Sequence, residues 1–121
     1  MQSERLQQVA LEVLADSKAQ DIRILDVRGM TDITDFMIVA SGTSDRHVKA
    51  IADRLLEAMR KRGWRPLGIE GLDVGEWVLI DFTDVVVHVM RQKTREFYDL
   101  ESLWNAELRD LVIAQREGRV E

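Results

Sequence analysis

The stretch Gly75-Glu76-Trp77-Val78-Leu79-Ile80-Asp81-Phe82-Thr83-Asp84-Val85-Val86-Val87-His88-Val89-Met90 decides the fold, because it reads as two strands rich in β-branched residues joined by a short polar turn. A turn at Thr83-Asp84 pairs Phe82 with Val85, Ile80 with Val87 and Val78 with Val89, so one face of the hairpin is wholly apolar and belongs to the core. The opposite face carries Trp77, Leu79, Asp81, Val86, His88 and Met90. That mixture is too apolar for plain solvent and too polar for a plain core, and it reads as an interface. The register holds for a two- or four-residue loop and fails for a three-residue loop, which shifts the partner strand by one and mixes the faces.

On the N-terminal side of the hairpin, Ser3 caps a helix over residues 3–18 whose Leu6, Val9, Ala10, Val13 and Leu14 recur at helical spacing. Ile22, Ile24, Leu25 and Val27 form a first strand that ends at Arg28-Gly29. Phe36 to Ala40 are continuously apolar, which suits a strand buried on both faces at the centre of a sheet. Ser44 then caps a long helix with Val48, Ile51, Ala52, Leu55, Leu56 and Met59 as its buried stripe, and Gly63 ends it. A third strand is expected from Trp64 to Glu70, entered through the only proline, Pro66, which hints at an edge. The strand, helix and strand between residues 35 and 70 form a crossover unit, right-handed if the two strands are parallel. Beyond the hairpin, Phe97, Leu100, Glu101, Trp104, Leu108 and Leu111 predict a C-terminal helix over one face of the sheet, broken near Asn105, with 105–121 a helical extension and 117–121 frayed. The expectation is a single α/β domain over residues 1–121, with a five-stranded mixed sheet and flanking helices.

At 121 residues, 45% hydrophobic and 32% charged, the chain has ordinary globular composition and room for a real core. Cysteine is absent, which excludes disulfides, thiolate metal sites and cysteine nucleophiles. The start MQSERLQQ has no basic region followed by an apolar run, and no apolar segment approaches the roughly 20 residues that span a bilayer, so a cytoplasmic protein is expected. A formal charge of −5 argues against affinity built mainly on phosphate neutralisation and favours a basic protein partner. Two local basic clusters stand out: Arg60, Lys61, Arg62 and Arg65 at a helix end, and Arg91, Lys93 and Arg95 after the hairpin. The plain reading, preferred over a nucleic-acid patch, is complementarity to the helix macrodipole and a solvated loop.

Little in the chain demands catalysis. Ser41-Gly42-Thr43-Ser44 lies between a strand and a helix N-terminus, where backbone N–H groups can hold an anion, yet it lacks the spacing of a P-loop or a dinucleotide fingerprint. The plain alternative is a tight turn with an N-cap. Nucleotidyl transfer would need metal-binding carboxylates on an adjacent strand; no D-x-D pair occurs there, and Asp81 and Asp84 flank a turn in poor metal geometry. His47 and His88 are the only imidazoles, and neither sits in a catalytic motif. No cofactor and no metal is implied. Trp104 falls on a packing stripe and Trp64 at a strand start, whereas Trp77 stands beside Met90 on the mixed face, an aromatic-plus-methionine pairing enriched at interfaces.

Taken together, Asp35 through Val48, then Gly68-Ile69-Glu70-Gly71, then Trp77 with Asp81 and Val85 through Met90, then Arg95 through Trp104 resemble the ribosomal silencing factor (Iojap) family over about residues 1–105. The resemblance implies an α/β fold like that of nucleotidyltransferases but without their catalytic carboxylates, and a translation repressor rather than an enzyme. It implies a partner, the fourteenth L-series protein of the large ribosomal subunit, whose occupation sterically prevents the small subunit from joining when nutrients are scarce. A homodimer in solution is implied too, with no membrane association and at most minor rRNA contact, through Arg91, Lys93 or Arg95. Trp77, Asp81, His88 and Tyr98 match the family motif as partner-binding residues, and the hairpin register adds Leu79 and Met90 beside Trp77. Phe82-Thr83-Asp84 departs from the glycine-containing turn common in the family. The rival reading is a nucleotide-binding or nucleotidyltransferase-like enzyme using the Gly42-Thr43-Ser44 turn.

Overall fold

The computed structural model describes residues 2–104. The continuation of the last helix through Leu108 and Leu111, the expected break near Asn105, the frayed end at 117–121 and the packing of the Trp104 side chain lie outside the described residues. In chain order the elements are α1 (Gln2–Asp16), β1 (Gln20–Asp26), β2 (Phe36–Gly42), α2 (Asp45–Lys61), β3 (Gly68–Glu70), β4 (Trp77–Asp81), β5 (Val85–Arg91) and α3 (Gln92–Tyr98), followed by a 3-10 turn at Leu100–Trp104. The five strands form one sheet in the order β1-β2-β5-β4-β3. Only β2 and β5 pair in parallel; the other three pairings are antiparallel, so the sheet is mixed.

The hairpin has the two-residue turn. Val78 faces Val89 and Ile80 faces Val87, and the Phe82 N–H closes the loop on the Val85 carbonyl at 2.9 Å. Helices α1 and α2 both lie on the apolar face. Val9, Ala10 and Leu14 of α1 and Val48, Ile51, Leu55 and Met59 of α2 pack on Ile38, Ala40, Val78, Ile80, Val87 and Val89, all but fully buried. At about 1.5–3 kcal/mol for each large apolar side chain removed from water, this layer is the main source of stability. The start of α2 is set by Ser44, whose Oγ accepts the His47 N–H at 3.0 Å. His47 adds a tertiary staple: Nδ1 accepts the Thr43 N–H at 2.9 Å, so Nε2 carries the proton and donates to the Ser17 carbonyl at the end of α1, also at 2.9 Å.

Three expectations change. The middle of the sheet is β5 and not the Phe36–Ala40 strand, because Val85 to Met90 are buried on both faces and take strands on either side. The Trp64–Glu70 strand shrinks to Gly68–Glu70 at the edge: the Trp64 N–H is spent on the Met59 carbonyl at the end of α2, and Pro66 has no N–H for a ladder. β2 and β3 do run parallel, but β5 and β4 lie between them. The last helix is interrupted already at Asp99, in the left-handed conformation (φ 47, ψ 48). α3 turns Thr94 and Arg95 inward, which leaves Phe97 80% exposed instead of in the core. Among the described residues no helix is long and apolar enough to cross a membrane.

Candidate functional site

The face of the sheet turned away from α1 and α2 follows from strand alternation. Trp77, Leu79 and Asp81 of β4 lie opposite Met90, His88 and Val86 of β5, and the same row continues across Val39 and Met37 of β2. Part of this face is covered by α3, and three contacts fix that helix in place. The Thr94 hydroxyl donates to Glu76 at 3.3 Å. Arg95, only 4% exposed, donates through Nη1 to Ser41 Oγ on β2 at 2.8 Å and through Nε to Glu101 at 2.7 Å. Its Nη2 stands 3.7 Å from Asp21 on β1, and Arg23 links Asp21 and Glu101 from outside at 3.3 and 3.5 Å. Sequence order placed Arg95 in a solvated basic cluster; it is instead a buried clamp across β1, β2, α3 and the 3-10 turn. Only the inward rotation of α3 exposes that role.

The clamp sets an aromatic ladder. Tyr98 lies with its ring 5.0 Å from Trp77 at an interplanar angle of 50°, and Phe97 stands edge-on to Tyr98 at 5.0 Å. On the other side the Trp77 indole N–H donates to His88 Nδ1 at 3.0 Å. That bond places the neutral His88 proton on Nε2, a buried atom with no hydrogen-bond partner among the described residues. Burial pushes the His88 imidazolium down to about 4, so the ring is neutral at physiological pH. Gly71 supplies the approach that lets the loop before β4 lie against this strand. It has φ +83, and a Cβ there would run into the Trp77 carbonyl.

The six residues expected to bind a partner therefore share one side of the molecule but not one depth. Trp77, Leu79 and Asp81 are half-buried and Tyr98 is 55% exposed, so four reach the surface. His88 and Met90 are 3% and 0% exposed and act from beneath, His88 by holding the indole and Met90 by packing behind it. Asp81 Oδ1 accepts the Thr83 N–H at 2.7 Å, which orients the carboxylate at the end of the row. Phe97 is a surface aromatic that helical periodicity assigned to the core; its place shows only once the break at Asp99 is known. With Tyr98, Glu76, Lys93 and Thr94 it borders a shallow groove of about 370 Å³.

The turn at Gly42-Thr43-Ser44 is differently built. Two N–H groups that a phosphate would need there, those of Thr43 and His47, are bonded to His47 Nδ1 and Ser44 Oγ. Gly42 lacks a side chain because Val48 packs on it, its Cγ2 2.7 Å from where a Cβ would sit. Among the described residues no group of three or more His, Asp or Glu is placed to hold a metal ion.

Comparison with known proteins identifies the family and the overall fold. The family model described as "Ribosomal silencing factor during starvation" matches residues 1–120. A ribosomal silencing factor of Chromobacterium violaceum is 42% identical over 107 residues, covering 88% of each chain. One from Bacillus subtilis is 37% identical, covering 92% of this chain and 95% of its own. A crystal structure of a Chromobacterium violaceum protein superimposes with a TM-score of 0.83 at 43% identity, over 86% of this chain and 87% of that one.

Proposed function

The chain belongs to the ribosomal silencing factor family, and from that premise we propose that it represses translation by docking its Trp77 face on the fourteenth L-series protein of the large ribosomal subunit. Occupation of that protein keeps the small subunit from joining. The action is steric rather than catalytic, it serves nutrient limitation, and it takes place in the cytoplasm. The observation that carries this reading is the ladder Phe97–Tyr98–Trp77 held on a neutral His88: stiff aromatic rings at the surface, fixed from below, are what interface hot spots are made of. Asp81 and the exposed Glu70 share the face, which suits a basic protein partner. Trp77, Leu79, Asp81 and Tyr98 touch the partner, while His88 and Met90 position Trp77. In solution the same apolar surface supports pairing with a second copy.

Pelleting with purified large subunits tests the proposal. Trp77→Ala weakens binding by roughly 2–4 kcal/mol, about 30- to 1000-fold, while the far-ultraviolet spectrum stays that of the folded chain. Tyr98→Ala, at a mostly exposed position, lowers affinity with no change in melting temperature. Unchanged affinity in both variants would remove this face as the docking surface.

A further inference from the structure

We propose that the corner where α2 ends and β3 begins binds an unpaired RNA strand, with Lys61, Arg62 and Arg65 on its phosphates and Trp64 beneath one of its bases. This site is separate from the Trp77 face. It lies on the opposite side of the sheet, since Ile69 beside it pairs with Ile80 on the helix-covered face, so both surfaces can be occupied together.

The plain account of these cations is that they complement the end of a helix. The end of α2 does not need them. Gly63, at φ +81, donates to the Arg60 carbonyl and Trp64 donates to the Met59 carbonyl, both at 3.0 Å, so the backbone closes its own terminus. Arg60 is held by Glu57 at 2.7 Å. Lys61, Arg62 and Arg65 are exposed and form no side-chain hydrogen bond or ion pair with a described residue, in a chain where 22 acids outnumber 17 bases. Asp53 and Glu57 line the neighbouring groove with Lys61 and Arg62 without closing an ion pair to either, and among the described residues no acid lines the groove of Trp64 and Arg65. Trp64 completes the site. Partly buried against the core, it also lines a groove of about 440 Å³ with Leu56, Arg60, Arg65, Pro66 and Ile69. A half-buried indole flanked by guanidinium groups is a stacking platform, and unpaired cations beside it track a backbone: the two parts of single-strand recognition. An acidic peptide would satisfy the charges but bring no ring for Trp64, which is why RNA is the favoured occupant.

The test is fluorescence anisotropy of the full chain with a labelled 12-nucleotide oligouridine RNA, at salt from 50 to 200 mM. Three phosphate contacts on a single strand give a slope of about −2 in log affinity against log salt. Replacing the cations together, as Lys61→Glu, Arg62→Glu and Arg65→Glu, lowers affinity at least about tenfold and flattens that slope. Trp64→Ala weakens binding by roughly five- to a hundredfold at unchanged slope, and Trp64→Phe, which keeps a ring and guards against misfolding, retains most of it. Trp77→Ala leaves RNA binding intact, so the docking reading and this one fail independently. No RNA binding by the unaltered protein, binding indifferent to the charge reversal, or equally tight binding of a labelled polyglutamate peptide would overturn the proposal.

Discussion

The two faces of the sheet are built from the same strands and differ at every alternate residue. On one, Val78, Ile80, Val87 and Val89 are fully buried under two helices, with no polar atom among these side chains. On the other, Trp77, Leu79 and Asp81 stay half-open above a buried layer of Val86, His88 and Met90. The first face is closed by the chain itself, and its side chains answer only to packing. The second buries one polar group, His88, which holds the Trp77 indole above it and keeps an Nε2 unpartnered among the described residues, at a cost in stability. The contrast separates residues that hold the fold from residues that spend it.

Neighbouring residues give the strongest test. Ile80 and Leu79 are adjacent in β4 and point to opposite faces. Ile80→Ala leaves a cavity in a fully buried site and should cost about 4 kcal/mol in urea unfolding while leaving subunit binding of the folded fraction unchanged. Leu79→Ala should cost under about 1.5 kcal/mol of stability, yet lower affinity for large subunits. If both variants behave alike, the division between the faces is wrong.

Much of that division was legible from sequence. Alternation in residues 77–90 fixes which side chains share a face, and an apolar match across the turn fixes the register, so Trp77, Leu79, Asp81, His88 and Met90 fall together without coordinates. Depth was not legible. Whether His88 and Met90 reach the surface depends on what lies over them, and α3 is oriented by Arg95 reaching Ser41, 54 positions earlier in the chain. No local pattern encodes such a contact. The same contact turns Phe97 outward, against its helical spacing. Strand order escaped for a related reason: an apolar run such as Phe36–Ala40 signals burial on two sides, not which of two buried strands is central.

The faces should also differ in their response to acid. The helix-covered side chains carry no titratable group, so their contribution is flat with pH. His88, ordinarily titrating near 6.5, is lowered to about 4 by burial in the folded chain. The unfolded chain therefore takes up a proton between those values and the folded one does not. The stability that depends on a neutral His88 is complete above pH 6.5 and is lost as pH falls toward 4, by about 3 kcal/mol in all. Protonation also places a hydrogen on Nδ1, facing the indole N–H that now donates to it, so Trp77 is released. Unfolding followed from pH 7 to pH 4, with the Trp77 indole N–H resonance as a local probe, checks both statements. His88→Gln should remove most of the pH slope in this window.

The smallest effect lies at the turn that joins the strands. Thr83 has φ 77, a left-handed conformation that a β-branched residue adopts at a cost, and it is exposed. What holds it is backbone: its N–H donates to Asp81 Oδ1 and the following Asp84 N–H to the Phe82 carbonyl. Neither bond needs the threonine side chain. Thr83→Gly removes the strain of roughly 1–2 kcal/mol and returns part of it through greater freedom in the unfolded chain, for a net gain of about 0.5–1 kcal/mol. Because the Asp81 contact is retained, binding to large subunits should not move. A gain in stability with unchanged affinity would show that the turn sets the register of both faces without belonging to either, whereas a loss of affinity would make the turn part of the docking surface and extend that surface past Asp81.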